Sequence, residues 1–310
     1  MDIRAIGGSG LQTPRLVLGG NVFDWTVKGD EAFAILDRFA EAGGTMIDTA
    51  DVYSAWVPGH KGGESESLIG EWLRRSGRRD AMLIATKVGF TEGLRPDAIA
   101  RAADASLARL GIETIDLYYA HKDDPETPLE DVLGAFDALV RAGKVRAIGA
   151  SNYSAGRLAE ALDISEREGL ARYEVLQPEY HLVGRDSFEG ALQRVCVDRG
   201  VGVLPFYGLA SGFLTGKYRS ETDFGKSVRG GRMAAFLNER GLRVLAALDD
   251  IAAENGATPA QVALAWLAAQ PGVTAPIASA TSPAQLDELL GVLALELSAG
   301  QVDRLTAASA

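Results

Sequence analysis

A few side chains carry the chemistry that this chain can do. Asp48 ends the apolar run "TMID", and a phenol, Tyr53, follows five residues later. Lys87 lies at the end of "MLIATKV", His121 follows "TIDLYYA", and Ser151 closes "VRAIGAS" with Asn152 next. Gln177 sits in "YEVLQPE", and Phe206 ends "GVGVLPF" with Tyr207 behind it. Burying unpaired charge costs several kcal/mol per group, so four ionisable groups converging on one rim imply mutual pairing and a function. A phenol has a reference pKa of about 10, and an ammonium close by favours its ionised form. Asp48 can hold Lys87 in place by a salt bridge, and Lys87 is then expected to lower the Tyr53 pKa. Tyr53 becomes a proton donor that can be recharged, suited to protonating an oxyanion as a carbonyl is reduced. His121, aimed at the same oxygen, can orient and polarise it.

Such a rim needs many strand ends on one side of a sheet, and the sequence supplies them. Short β-branched runs fall at 15–20, 45–48, 82–88, 114–120, 145–151, 173–179, 200–206 and 272–278. Amphipathic runs lie between them. Residues 29–44 repeat apolar positions at three and four and close on Gly, and 95–111 has Pro near its start and Gly after its end. "TPLED" reads as a capping box with Thr127 as N-cap, Pro128 first in the helix and Glu130 three on; Ser282 and Pro283 open another helix in the same way. Eight strands alternating with helices predict an α/β fold, a (β/α)8 TIM barrel with parallel pairing through right-handed crossovers. A doubly wound sheet competes, but "LGGNVF" offers no GxGxxG after the first strand. "IRAIG" and "LQTPRL" read as an N-terminal β-hairpin that could cover the barrel floor. The stretch 209–240, after strand seven, has no clear period, and loops of that length in compact domains are usually functional.

The bulk numbers exclude several classes. Barrels of this size fold as one domain, so 1–310 is expected to be a single domain. A net charge of −11 argues against a nucleic-acid partner, since phosphate contacts need clustered Lys and Arg. No run approaches the roughly 20 apolar residues of a membrane span, and the N-terminus has no signal pattern. One cysteine, Cys196, cannot make an internal disulfide; it reads as a buried structural thiol in a reducing, cytoplasmic protein. "HKDD" (121–124) lacks the HxH or HExxH spacing of a metal site, so no metal is expected. His60, in a Gly-rich loop, reads as solvated.

The motifs "MIDTADVYS", "ATKVG", "YYAHKDDPETPLED", "GKVRAIGASNYS", "LQPEYHL" and "LASGFLTGKY" together resemble the aldo-keto reductase family, in order, over 15–289. The resemblance implies a barrel, a catalytic tetrad of Asp48, Tyr53, Lys87 and His121 with Tyr53 as general acid/base, and hydride transfer between a nicotinamide cofactor and an aldehyde or ketone. NADPH/NADP+ is the implied cofactor, with NADH possible. Ser151, Asn152 and Gln177 match the holders of the carboxamide, and Phe206 or its neighbour Tyr207 stacks on the nicotinamide. Gly208, Leu209, Ser211, Gly212 and Lys217 match the loop around the pyrophosphate, and Gly20 and Asn21 are also assigned to the cofactor. Arg229 or Arg232 would reach the adenosine half, with Ser279, Thr281 and Gln285 at the adenine and 2′-phosphate segment. That segment has Gln285 where some members have Arg and Leu289 where many have Asn. Arg matches a 2′-phosphate bidentately and hydroxyls do not, which weakens the preference for the phosphorylated cofactor. Phe23, Trp25, Trp56 and His181, around His121, would line an apolar pocket for a small carbonyl or alcohol substrate.

Two other functions compete. The resemblance extends to potassium-channel β subunits, regulatory modules that keep a cofactor with feeble turnover. A metal-dependent hydrolase on a barrel is the third, disfavoured by the lack of clustered histidines. Specificity for one carbonyl over another lies in loop shapes.

Overall fold

The computed structural model describes residues 2–310. An antiparallel hairpin, β1 (Ile3–Ala5) with β2 (Gln12–Pro14), precedes the repeating part. Then follow β3 (Val17–Gly19), α1 (Gly29–Glu41), β4 (Met46–Asp48), α2 (Glu64–Ser76), β5 (Leu83–Val88), α3 (Pro96–Leu110), β6 (Ile115–Ala120) and α4 (Leu129–Arg141). The second half runs β7 (Val145–Ser151), α5 (Ala155–Glu168), β8 (Tyr173–Gln177), α6 (Ala191–Asp198), β9 (Gly202–Val203), α7 (Glu239–Asn255), α8 (Pro259–Ala268), β10 (Ile277–Ala278), α9 (Pro283–Leu290) and α10 (Ala299–Ala308). All eight strands from β3 to β10 pair in parallel, in the order β10-β3-β4-β5-β6-β7-β8-β9. The segment ending in β10 also touches β9, through a Val203–Val273 bridge and the Thr274 N–H to Val203 carbonyl bond of 2.8 Å. The barrel closes there, as expected of the (β/α)8 fold.

Alternation along the strands decides which side chains face the barrel axis. Val17, Met46, Ala85, Leu117, Tyr119, Ala147 and Val175 pack together inside, with Ile6 and Leu11 of the hairpin region. Their neighbours Leu18, Ile47, Ile84, Tyr118 and Ile148 pack outward with the helices. Two residues beyond each inward position lies the next inward one. Met46 therefore leads to Asp48, Ala85 to Lys87, Tyr119 to His121 and Val175 to Gln177, all at the C-terminal rim. Gly149, opposite Tyr119, is where this requires a glycine: a Cβ there would stand 2.7 Å from the Tyr119 ring. Tyr119 is thus able to fill the barrel beneath Lys87, whose Nζ lies 5.9 Å from its ring centroid.

One local expectation fails. Pro128, not Thr127, is the N-cap of α4, because the Thr127 hydroxyl donates to the Asp124 carboxylate at 2.8 Å and is not capping the helix. The aperiodic stretch after β9 contains three short 3₁₀ turns, at Ala210–Thr215, Glu221–Lys226 and Gly230–Ala235; turns this short leave no helical period in a sequence. Ser282 does cap α9, accepting from the Gln285 N–H. Cys196 is buried, and burial pushes its thiol up to about 12.

Candidate active site

Lys87 is the hub of the C-terminal rim. Its Nζ donates to Asp48 Oδ1 at 2.6 Å, to the Thr49 carbonyl at 2.7 Å and to the Tyr53 hydroxyl at 3.1 Å. Gln177 Nε2 donates to the other Asp48 oxygen at 2.8 Å, so both carboxylate oxygens are engaged. Lys87 and Asp48 are fully buried, and His121 nearly so. The loop that carries Tyr53 is tied down by Asp51 N–H to the Lys87 carbonyl and by the Ser54 hydroxyl to the Phe23 carbonyl. The Tyr53 and His121 rings stand 6.1 Å apart, edge to face. The structure brings all four residues together.

Electrostatics follow from burial and this pairing. Burial alone would strip the Lys87 charge, but Asp48 and Tyr53 beside it raise its pKa above the ordinary value, so the ammonium persists. Burial pushes the Tyr53 phenol above its usual range, opposed by Lys87 and reinforced by Asp48. The expectation of a lowered phenol pKa is not met, because desolvation of a phenolate outweighs one ammonium already shared with a carboxylate. Burial, then Lys87 and Lys122, push His121 down to about 2. Its ring is therefore neutral, with one N–H to donate, and Nδ1 has no protein partner. A protonated phenol and a neutral imidazole at one rim can together donate to one oxygen atom.

A cavity of about 750 Å³ starts at these residues and reaches the first turn of α9. Its walls include Asn21, Ser151, Asn152, Gln177, Phe206, Tyr207, Gly208, Leu209, Ser211, Gly212, Lys217, Arg229, Ser279, Thr281 and Gln285, as the sequence suggested. Asn152 donates to the His121 carbonyl at 2.9 Å and to Ser151 Oγ at 3.1 Å, which leaves its side-chain oxygen for a ligand. Phe206 is bridged to Glu179 beside β8, while Tyr207 is exposed with φ of 58°. The loop after it continues through left-handed Ala210 and Ser211.

Six placements differ. Gly19, not Gly20, borders the cavity; the Gly20 N–H and carbonyl are spent on the Asp48 carbonyl and the Ser65 hydroxyl. Phe23 is buried in the layer between strands and helices. Trp25 is outside the lining but meets Trp56 edge to face at 5.5 Å and carries the Arg229 guanidinium 5.0 Å over its ring. His181 is buried against Phe236 and hydrogen-bonded to Glu179, away from the cavity. His60 is half-buried, with an unpartnered Nδ1, not solvated. Arg232 reaches the Tyr207 hydroxyl at 3.5 Å and does not line the cavity. The wall residues that were missed include Phe90, whose ring lies 4.9 Å from His121, and Lys226. Phe90 stands two residues past the end of β5, a signal that strand-end reading could have used.

A model of the Aldo/keto reductase family matches residues 15–310. The chain is 35% identical over 294 residues to the aldo-keto reductase str7 of Strobilurus tenacellus, covering 92% of this chain and 83% of that protein. It is 33% identical to the Schizosaccharomyces pombe aldo-keto reductase yakc, named for NADP(+), over 88% of this chain and 80% of that one. A putative voltage-gated potassium channel subunit beta of the same yeast is 32% identical, over 99% and 90% respectively.

A second buried polar cluster lies behind the rim. Glu66 accepts from the Thr86 hydroxyl and from Arg109 Nε, each at 2.6 Å. Asp51 adds another carboxyl near them, with an unpartnered buried oxygen, and burial followed by Glu66 raises its pKa to about 7. The sign follows by linkage. Folded Asp51 holds its proton more tightly than the unfolded chain, so its contribution is favourable at acid pH and is lost as pH rises from about 4 to 7. A rise from 3.8 to about 7 costs about 4 kcal/mol at neutral pH and above. Asp51→Asn should therefore raise the thermal midpoint at pH 8 by several degrees relative to its effect at pH 4. Equal shifts at both values in paired melting curves would contradict the assignment.

Proposed function

The chain belongs to the aldo/keto reductase family, a family of oxidoreductases, and from that premise we propose that it interconverts aldehydes or ketones and alcohols with a nicotinamide cofactor. The observation that carries this reading is the Lys87 ammonium, 2.6 Å from Asp48 and 3.1 Å from the Tyr53 hydroxyl. NADPH/NADP+ is the proposed cofactor, with NADH also accepted. The cleft suits it on its own chemistry: the spare Asn152 oxygen and Ser151 for an amide, Phe206 for a ring face, Lys217 and Lys226 for phosphates, and hydroxyls with Gln285 at the far end. When bound, the reduced nicotinamide supplies a hydride to the carbonyl carbon.

The protein's own residues complete the reaction. The neutral His121 ring donates a hydrogen bond to the carbonyl oxygen and fixes its position. The Tyr53 hydroxyl gives its proton to that oxygen as negative charge develops on it. A phenol with a raised pKa still serves, because a developing alkoxide is far more basic. The phenolate left behind lies against Lys87, whose charge Asp48 holds, until solvent returns a proton. In the reverse direction the phenolate must form first, so alcohol oxidation gains with rising pH.

A regulatory module is the second reading, favoured by the likeness to the channel subunit over nearly the whole chain. Turnover separates the two. We expect Tyr53→Phe to lower kcat for aldehyde reduction by about 10²–10⁴-fold, the usual worth of a general acid, with cofactor affinity nearly unchanged. Lys87→Met should be comparably damaging. Single-turnover absorbance and a cofactor fluorescence titration on the same variants test this, and near wild-type reduction by Tyr53→Phe would refute it.

Cofactor preference should be modest. The cavity wall around α9 offers Ser279, Thr281, Gln285, Glu288 and Leu289, with no Lys or Arg among them. The ratio of kcat/KM for NADPH over NADH should stay below about a thousandfold, or ~4 kcal/mol. A larger ratio would mean that a cation of the loop, such as Arg229, holds a 2′-phosphate.

A further inference from the structure

The mouth of the cavity joins bare aromatic surface to an unneutralised cation. Trp56 is 48% and Phe90 45% exposed, and both line the wall. Aromatic side chains in a cavity wall are the usual lining of a small-molecule site. The Phe90 ring lies 4.9 Å from the His121 ring, so a molecule with its oxygen at His121 extends along Phe90. Lys122, next in the chain and exposed, holds its ammonium 5.2 Å from the Phe90 ring centroid.

Two aspartates follow Lys122, yet neither neutralises it. Asp123 accepts both Nε and Nη2 of Arg157. Asp124 is spent on the Leu94 and Glu126 N–H groups and the Thr127 hydroxyl. The Lys122 charge is also felt at the imidazole, where it helps to hold His121 neutral. Of the acids lining the cavity, Asp48 is paired with Lys87 and Glu288 belongs to α9 at the other end. In a chain of net charge −11, Lys122 thus stands beside the wall residue Phe90 without a carboxylate partner among the described residues. Lys122 follows β6, whereas Arg229 of the loop after β9 reaches the same aromatics from the other side, over Trp25, which meets Trp56 edge to face.

Resting on the reductase reading above, we infer that Lys122 is a specificity-determining residue, selecting carbonyl substrates whose apolar or aromatic body carries a negatively charged group. The body lies against Phe90 and Trp56, and the anion meets the ammonium at the rim. Complementary charge at a rim acts on substrate capture and on discrimination between substrates.

The test compares 4-carboxybenzaldehyde with 4-methylbenzaldehyde, matched in shape and different in charge, using the full chain with NADPH. The ratio of kcat/KM should favour the carboxylate by about fivefold to tenfold, the range of a partly exposed charge contact. Lys122→Gln should bring the ratio close to one, Lys122→Glu should invert it, and Lys122→Arg should keep it. Added salt should compress the wild-type ratio more than that of Lys122→Gln. A ratio that Lys122→Gln and Lys122→Glu leave untouched overturns the role of Lys122 while the reductase reading stands. Reduction of neither aldehyde overturns the reductase reading and this inference with it.

Discussion

The buried ion pair of Lys87 and Asp48 is the constraint on which the rest of the site depends. Removing two charges from water costs several kcal/mol per ion, and an apolar pair of similar volume would often be no less stable. The barrel pays this cost and surrounds the pair with partners: the Thr49 carbonyl, the Tyr53 hydroxyl and the Gln177 amide. Those contacts determine the rim. They hold the loop with Tyr53 over the strand ends, commit Gln177 to Asp48, and place a fixed positive charge near His121. Burial keeps the imidazole neutral and the phenol protonated; the Lys87 ammonium reinforces the first and opposes the second.

Much of this was legible in the residues. Parity along the strands places Asp48, Lys87, His121 and Gln177 inside the barrel at one end, and parity can be counted without coordinates. The hairpin, the eight strands and the Ser282 cap could be read for the same reason: each depends on neighbours close in sequence. What could not be read depends on distant partners. Thr127 lost its capping role to Asp124, Phe23 turned into the helix layer, and His181 was drawn to Glu179 and Phe236. The sign of the Tyr53 shift was missed because spacing reveals the nearby ammonium but not the depth of burial.

Under the proposed function the ends of the cavity do different work. The long loop after β9, with its left-handed residues and its lysines, faces the part suited to a phosphate-bearing ligand. The opposite mouth is aromatic, with Lys122 left unneutralised because Asp123 and Asp124 are committed elsewhere. Glu66, Arg109 and Asp51 form a buried polar layer behind the rim, where a carboxyl without a full set of partners stores part of the cost of shaping the site.

The central claim, that burial keeps Tyr53 a phenol while Lys87 stays charged beside it, can be tested at the atom concerned. Tyrosine labelled with carbon-13 at the ζ position reports ionisation through its chemical shift, and the spectrum of Tyr53→Phe identifies the Tyr53 signal. The structure predicts a Tyr53 signal that stays in the phenol form from neutral pH to at least the free-tyrosine value of about 10. A signal that moves to the phenolate position near neutral pH would contradict the account, because the ammonium would then have overcome burial.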